Sequence, residues 1–266
     1  MATDASSLME PPIVLSGLFG DDDDDGDASD GAGEAFEEQF GTQSLDLSGE
    51  TLEIREFSFH PQNANRVWPG TFALVAYLAR LLGEPEPSAR RAALGGARVL
   101  ELGAATGVVS IWLRRLGVAA TTSDVVDEGE VARNIAHNAQ LNGVGAISHV
   151  EHTWGEAWGG GEFDVVVASD ILLYTAAYEA LVQTLMKLMA GKPSRSFVMV
   201  WLRRLKHSDG TDSSVDFFTR MREAGFSCRH EGNRVFTFAH GAARAELSAL
   251  EEGAEGNGGS YAAAWQ

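Results

Sequence analysis

Short apolar segments rich in β-branched residues alternate along this chain with longer segments of helical periodicity. The most continuous apolar segment, Val165–Ala168, is typical of a strand buried on both faces of a sheet. The strands predicted before the last helix are Ala97–Leu102, Ala119–Ser123, Ser148–Thr153, Phe163–Ser169 and Ser196–Leu202. The predicted helices are Thr71–Leu82, Val108–Leu116, Glu128–Leu141, Ala176–Leu188 and Val215–Ala224. This alternation predicts a Rossmann-like, doubly wound α/β sheet of mostly parallel strands.

Two further apolar segments follow the last predicted helix. They are Phe226–His230 and Arg234–Ala239, and only the turn Glu231-Gly232-Asn233 separates them. Because no helix lies between them, they predict an antiparallel hairpin at one edge of the sheet. With this hairpin the predicted sheet has seven strands.

Charge is concentrated at the start of the chain. Residues 1–56 hold sixteen acidic side chains and a single base, so they carry 15 of the 18 net negative charges. Asp21–Asp25 is a run of like charges with little apolar area near it, which favours disorder. We therefore expect a disordered acidic leader over residues 1–48, a folded domain over 49–241 and a loose tail over 242–266. The leader is interpreted as a solubilising segment, with a docking arm for a basic partner as the alternative.

Composition excludes several classes of protein. With 44% hydrophobic residues the chain can build a full core, but no apolar run reaches the length of a membrane span. The single cysteine, Cys228, excludes an internal disulfide and a cysteine-rich zinc site. No basic patch is left to neutralise phosphates, so we expect no nucleic-acid partner. We expect a monomer of the cytoplasm, with the nucleus as the alternative, and no metal site.

The strongest chemical motif is the segment Val99–Gly107, which runs from a strand through a tight turn into a helix. Gly103 allows the backbone to turn and lets a ligand approach closely. Gly107 lets the start of the helix pack against the sheet. The alternative is an ordinary strand-to-helix turn that binds no ligand.

The glycine spacing distinguishes between two nucleotide-type cofactors. A dinucleotide requires G-x-G-x-x-G, so that its pyrophosphate meets bare backbone at the helix N-terminus. Here Ala105 and Val108 stand where the second and third glycines would be. S-adenosylmethionine has no phosphate, and the pattern E-x-G-x-x-x-G, formed by Glu101, Gly103 and Gly107, suits it better. We therefore expect these three residues and Ala105 to bind S-adenosylmethionine.

Two later strand ends supply further candidate ligands. Asp124 ends the second strand of the domain, where a carboxylate can accept hydrogen bonds from both ribose hydroxyls. Trp154 follows the third strand, where an aromatic ring can stack on adenine. Taken alone, an acid at a strand end is common and a tryptophan is more often part of the core.

Taken together, the order and spacing of these motifs over roughly residues 50 to 240 are specific. The chain resembles the family-16 methyltransferases, seven-stranded S-adenosylmethionine-dependent protein-lysine methyltransferases, and in particular their plant and algal members. The motifs that carry the resemblance are Asn63–Gly70, Glu101–Gly107, Thr122–Asp124, Asn134–Asn138, His152–Gly155 and Ala168–Tyr174.

The resemblance implies the roles of particular residues. The residues that it places around the cofactor are Trp68, Gly103, Asp124, Trp154 and Ser169. It also implies that Asp170 begins an acceptor-side signature, in the family an acid, two residues and then tyrosine or phenylalanine. Here Leu173 takes the aromatic position and Tyr174 comes one residue later. We expect Asp170 and Tyr174 to serve the acceptor, with a helix N-cap and plain packing as their respective alternatives.

The predicted reaction is methyl transfer to a lysine side chain of another protein. Because a sulfonium is already an activated electrophile, the protein mainly has to align the acceptor with it, and alignment can supply about 7–11 kcal/mol in favourable cases. A small-molecule methyltransferase on the same fold is one alternative, favoured by a closed acceptor pocket. A nicotinamide oxidoreductase is disfavoured by the glycine spacing, and a non-catalytic interaction module is the alternative from a different class.

Overall fold

The computed structural model describes residues 40–83, 94, 96–201 and 213–241. The strands are β1 Phe40–Leu47, β2 Glu50–Phe57, β3 Arg98–Leu102, β4 Ala119–Asp124, β5 Ser148–Glu151, β6 Val165–Ser169, β7 Ser196–Val200, β8 Phe226–Gly232 and β9 Val235–His240. The helices are α1 Gly70–Gly83, α2 Val108–Arg115, α3 Glu130–Leu141, α4 Tyr178–Met189 and α5 Ser214–Glu223. The predicted tail and residues 1–39 of the predicted leader lie outside the described residues.

Seven of these strands form one sheet in the order β5-β4-β3-β6-β7-β9-β8. Strands β3 to β7 run parallel to one another, whereas β9 runs antiparallel to both β7 and β8. The predicted doubly wound sheet is therefore confirmed. Strand order reverses between β3 and β6, so a crevice opens at the carboxyl ends of these strands, where open α/β sheets bind ligands.

Hydrophobic cores cover both faces of the sheet. Adjacent residues of β3 point to opposite faces, so that Val99 belongs to the core beneath α1 and α2 while Leu100 belongs to the core beneath α4 and α5. Both side chains are fully buried. Burial on both faces explains why these strands read as continuous apolar runs. In the described ranges, no helix combines the length and the apolar character needed to cross a membrane.

The C-terminal hairpin confirms the prediction of an antiparallel edge and has a specific turn. Gly232 pairs with Val235, so that Asn233 and Arg234 form the loop, with φ angles of 45° and 64°. A two-residue loop with positive φ at both positions is the type I′ turn that matches the twist of a hairpin.

A second hairpin, β1–β2, corrects the predicted leader of residues 1–48. Strand β1 lies within that segment and pairs with β2 across a turn at Ser48 and Gly49. Leu45 and Leu47 are buried, and the Trp112 indole donates a hydrogen bond to the Leu47 carbonyl. Apolar residues that alternate with polar ones in this strand outweigh the acidity of its surroundings, because burial in the core beneath α1 and α2 stabilises them.

Three asparagines on one face of α3 dock the outer edge of β2. Asn142 accepts a hydrogen bond from the Glu53 N–H, and Asn138 accepts one from the Arg55 N–H. The amide groups of Asn142 and Asn138 donate back to the Glu53 and Arg55 carbonyls. Asn134 binds the Arg55 side chain. The i, i+4, i+8 spacing puts all three amides in line, where they replace a neighbouring strand.

Candidate active site

One cavity lies at the carboxyl ends of β3, β4 and β6. Its volume is about 270 Å³, and its lining comes from five loops. The lining residues are Gln62, Asn63, Ala64, Trp68, Gly103, Ala105, Asp124, Val125, His152, Thr153, Trp154, Ser169, Asp170, Ile171, Leu173, Tyr174, Ala177 and Ala180. Eight of the ten residues predicted to form the site line this cavity, which leaves Glu101 and Gly107 outside it.

The loop between β3 and α2 forms the floor of the cavity. The backbone N–H groups of Gly103 and Ala104 donate to the Ser123 carbonyl at 2.9 and 3.0 Å, which ties the loop to the end of β4. Gly103 has a φ of 68°, and a Cβ there would lie 2.8 Å from Cγ2 of Ile171. Glycine is thus required for both the turn and the close contact.

Asp124 sits at the centre of the floor and is 9% exposed. Its Oδ2 accepts a hydrogen bond from the Ala105 N–H at 2.7 Å, and its Oδ1 accepts one from the Val125 N–H at 2.8 Å. Burial raises the pKa of Asp124, although these N–H groups oppose the shift. Each carboxylate oxygen has a second lone pair, so the group can still accept hydrogen bonds from two ligand hydroxyls.

Glu101 is not part of the cavity lining, so the structure does not bring it together with the other predicted cofactor ligands. Its side chain is buried, and Oε2 accepts a hydrogen bond from the Ser110 N–H at 2.8 Å. Burial raises the pKa of Glu101 to about 7. The carboxyl group therefore satisfies an N–H in the first turn of α2, behind the floor of the cavity.

Gly107 is also outside the cavity. It precedes α2 with a φ of 77°, and a Cβ there would lie 3.0 Å from Cγ2 of Ile135 on α3. The residue thus allows the loop to turn and to pack against α3. The close neighbour of Gly107 is therefore α3 and not, as the sequence predicts, the sheet. Its function as a cofactor ligand stays a prediction.

Two tryptophans, Trp68 and Trp154, line the cavity. Trp68 donates its indole N–H to the Asn63 carbonyl at 3.0 Å, and the Arg66 guanidinium lies 5.0 Å from the centre of its ring. Trp154 lies in a turn closed by a hydrogen bond from the Glu156 N–H to the Thr153 carbonyl. A flat aromatic wall suits an adenine ring.

Ser169 and Asp170 join the end of β6 to the start of α1. The hydroxyl of Ser169 lies 3.2 Å from the Thr71 hydroxyl. Asp170 has a φ of 54°, and its Oδ2 accepts a hydrogen bond from the Gly70 N–H at 2.6 Å. The carboxylate therefore lies at the N-terminus of α1, and the alternative that it caps the helix after Tyr174 stays a prediction.

Tyr174 forms part of the rim and is 42% exposed. Its hydroxyl accepts a hydrogen bond from the Asn63 amide, which links two loops across the cavity. Leu173, beside it, also lines the cavity. Asn63 belongs to a sequence motif, but nothing in the sequence indicates this contact. Its φ of 59° is a conformation that asparagine tolerates better than most residues do, but this angle is visible only in the structure.

The described histidines include one cluster with acidic neighbours, His60, Asp127 and Glu130. His60 Nδ1 accepts hydrogen bonds from the Gln62 and Ala64 N–H groups, so the ring proton of the neutral form is on Nε2, which faces Asp127 at 3.3 Å. A metal ion at Nε2 would require that proton on Nδ1, against two N–H donors. The cluster is therefore better suited to anchoring the start of α3 than to binding a metal.

The sheet and its crevice define a Rossmann-like methyltransferase fold. A solved structure with this fold is the T. thermophilus 16S rRNA N2 G1207 methyltransferase RsmC in complex with AdoMet and guanosine. It matches with a TM-score of 0.52 and 18% identity, over 76% of this chain and 50% of that one. At this identity the likeness concerns the fold alone.

The sequence profile of the lysine methyltransferase family matches residues 46–224, and the chain belongs to that family. The predicted resemblance to these S-adenosylmethionine-dependent enzymes is confirmed, while the narrower one to plant and algal members stays a prediction. A curated relative, "Protein N-lysine methyltransferase METTL21A" of Danio rerio, is 35% identical over 102 residues. That match spans 37% of this chain and about half, 47%, of the relative.

Proposed function

We propose that the protein binds S-adenosylmethionine in the cavity at the carboxyl ends of β3, β4 and β6 and methylates a lysine side chain of a protein. The observation that carries this proposal is that Asp124 and Trp154 line the same cavity as Asp170 and Tyr174. The first pair suits a nucleoside, and the second leaves an exposed approach for an acceptor.

The fit to the cofactor follows from the donors and acceptors present. Asp124 offers acceptor lone pairs for ribose hydroxyls. Its other lone pairs accept the Ala105 and Val125 N–H groups and so hold the floor loop in place. The bare backbone at Gly103 allows a close approach that a side chain would block. In the described part of the cavity lining the only carboxylates are Asp124 and Asp170, so no acid competes at the floor.

The bound cofactor would supply a methyl group on a positively charged sulfur. A lysine amine must lose its proton to attack, and its usual pKa is about 10.4. Asp170 can attract the incoming ammonium, and the half-exposed rim lets the proton leave to water. A nearby positive charge and partial shielding then favour the neutral amine, because both disfavour the ammonium form.

The rim favours a macromolecular acceptor over a small molecule. Tyr174 is exposed, Gln62 is exposed, and Asp170 and Leu173 are half-buried. The acceptor side is therefore open to solvent along one edge, as a side chain on a protein surface requires. The small-molecule alternative would predict an enclosed acceptor chamber, which this cavity lacks on the side of these four residues.

Titration calorimetry followed by labelling tests the proposal. S-adenosylhomocysteine should bind the full chain and NADH should not. With S-adenosylmethionine labelled on the methyl group, radioactivity should enter the protein fraction of a cell extract and should be recovered as methyllysine after hydrolysis. Labelling confined to small molecules would contradict the lysine acceptor, and absence of cofactor binding by a folded protein would favour a non-catalytic interaction module.

A further inference from the structure

Helix α4 supports the turn that carries Trp154. The turn runs from Thr153 to Glu156, and Gly155 adopts a φ of 91° in it. A positive φ at the third residue of a turn is the type II geometry, which favours glycine there. A Cβ at Gly155 would lie 3.2 Å from the Cβ of Ala180 on α4, so the helix backs directly onto the turn.

Two polar side chains of α4 bind the same turn. The Thr184 hydroxyl accepts a hydrogen bond from the Gly155 N–H at 2.9 Å. The Lys187 ammonium donates to the carbonyls of Gly155 and Glu156 at 2.5 and 2.7 Å. Ala180, Thr184 and Lys187 have i, i+4, i+7 spacing, so they form one face of the helix directed at one turn.

Thr184 also contacts His152, which lines the cavity two residues before Trp154. The hydroxyl lies 3.1 Å from His152 Nε2, and Thr184 is fully buried. In the described part of the chain this hydroxyl has two partners. It accepts from Gly155 with one lone pair and keeps its own proton, which it can donate to His152 when Nε2 carries no proton.

We propose that Thr184 is a positioning residue for the cofactor, because it holds neutral His152 as its Nδ1–H tautomer and fixes the Trp154 turn against α4. This inference rests on the proposed function, since it assigns Trp154 to the adenine. Thr184 would act through the turn and would not touch the ligand itself.

The charges around His152 are consistent with a neutral ring. Burial lowers the pKa of His152, the nearby Glu156 carboxylate opposes this shift, and the Lys187 ammonium adds to it. The ring also packs edge-on against Trp158, with 5.0 Å between ring centres. Below the lowered pKa, Nε2 carries a proton and can no longer accept from the Thr184 hydroxyl, which must turn its own proton away. This change of the contact would loosen the turn, and cofactor affinity would fall with acid.

Substitutions at Thr184 test the inference with matched controls. T184V keeps the shape and removes the hydroxyl, whereas T184S keeps the hydroxyl. T237V removes another threonine hydroxyl, on β9, where it binds Glu231 outside the cavity. At pH 7.5 we expect S-adenosylhomocysteine affinity to fall about fivefold in T184V, the size of one lost hydrogen bond. We expect T184S and T237V to stay within about twofold of the unmodified protein.

The pH dependence adds a readout that a purely structural role would not change. From pH 7.5 to 5.5 the unmodified protein should lose affinity, and T184V should lose less, because its His152 no longer depends on the hydroxyl. If T184V binds as T237V does at both pH values, the inference is wrong.

Nitrogen NMR of the unmodified full chain detects the tautomer of His152 directly. This measurement requires no cofactor, and it does not depend on whether the Thr184 variants fold. We expect His152 to be protonated on Nδ1 at neutral pH, and an Nε2–H tautomer would overturn the inference whatever the affinities. Failure of the unmodified protein to bind S-adenosylhomocysteine would instead contradict the proposed function, while the tautomer would still decide the Thr184–His152 contact.

Discussion

The Asp170 carboxylate accepts a hydrogen bond from the Gly70 N–H at 2.6 Å, across a sequence separation of 100 residues. This contact places a negative charge at the N-terminus of α1, where the helix dipole stabilises it. It also fixes the carboxylate at the edge of the cavity. Asp170 therefore has a structural partner in addition to its proposed function toward the acceptor.

Substitution of Asp170 by asparagine should separate these two functions. The amide oxygen of D170N can still accept from Gly70, so we expect a loss of stability of only about 0.3–1 kcal/mol from the missing charge. Turnover should fall while S-adenosylhomocysteine affinity stays close to that of the unmodified protein, because the missing charge faces the acceptor. Calorimetry and methyllysine formation measure the two quantities, and full turnover in D170N would remove Asp170 from the acceptor side.

Alanine at Gly70 should disrupt the same contact by overpacking. A Cβ there would lie 2.6 Å from Oδ2 of Asp170, so the carboxylate must move, and overpacking of this kind costs about 1–3 kcal/mol. Gly83, at the other end of α1, provides the control, since a Cβ there meets no atom within 4 Å. Thermal melting should show a clear loss for G70A and little change for G83A. Equal melting temperatures would mean that the carboxylate adapts without cost.

Loss of the Asp124 carboxylate should weaken cofactor binding strongly. Charge-assisted hydrogen bonds contribute about 1.5–3 kcal/mol, so D124A should reduce S-adenosylhomocysteine affinity about tenfold or more. D124N should also bind poorly, because its single amide oxygen cannot serve both the Ala105 and the Val125 N–H groups. Calorimetry on folded samples decides this, and an unchanged dissociation constant in D124A would exclude Asp124 from the site.

The Asn63–Tyr174 contact should matter for the acceptor more than for the cofactor. Y174F removes the hydroxyl, and N63G removes the amide while allowing the positive φ of that residue. We expect each change to lower kcat/KM for a protein acceptor several-fold and to leave S-adenosylhomocysteine affinity within about twofold. If the two residues act together, the double variant should be little worse than either single one. Additive losses would argue against a joint function.

The sequence predicted the sheet well because its strands are buried on both faces and alternate with helices. The hairpin β1–β2 was missed in part, because the short apolar alternation of Leu45 and Leu47 adjoins an acidic segment. The hydrogen-bond partners of individual side chains are harder still to predict from the sequence. A motif placed Glu101 beside the floor loop, but the direction of its side chain depends on how α2 packs over β3. Nothing in the sequence near Asp170 or Gly70 indicates their contact, because the two residues are 100 positions apart.

Glu101 should make stability depend on pH in a defined window. Its pKa is raised from 4.5 to about 7, so the folded state binds the proton more tightly than the unfolded state does. The stabilisation is fully present below about pH 4.5 and is lost as pH rises through about 7. E101Q keeps an oxygen for the Ser110 N–H and cannot ionise, so its stability should fall less over this range, by up to about 3 kcal/mol. The free energy of unfolding of both proteins is measured by denaturation from pH 5 to 8. If it changes with pH by the same amount in both, Glu101 does not titrate in that range.

Truncation at the start of the chain should locate the boundary between the dispensable segment and the folded domain. A protein that begins at residue 40 keeps β1, so we expect it to retain the rise in melting temperature that S-adenosylhomocysteine induces. A protein that begins at residue 49 loses β1, with the buried side chains of Leu45 and Leu47 and the partner of the Trp112 indole. Burial of one leucine contributes about 1.5–3 kcal/mol, so the shorter protein should be less stable by about 3 kcal/mol or more.

L45A in the full chain isolates the packing contribution, with an expected loss of about 2–5 kcal/mol. Equal stability of the two truncated proteins would show that β1 is not part of the cooperative domain, whereas loss of the ligand response on removal of residues 1–39 would show that the acidic segment contributes to the site.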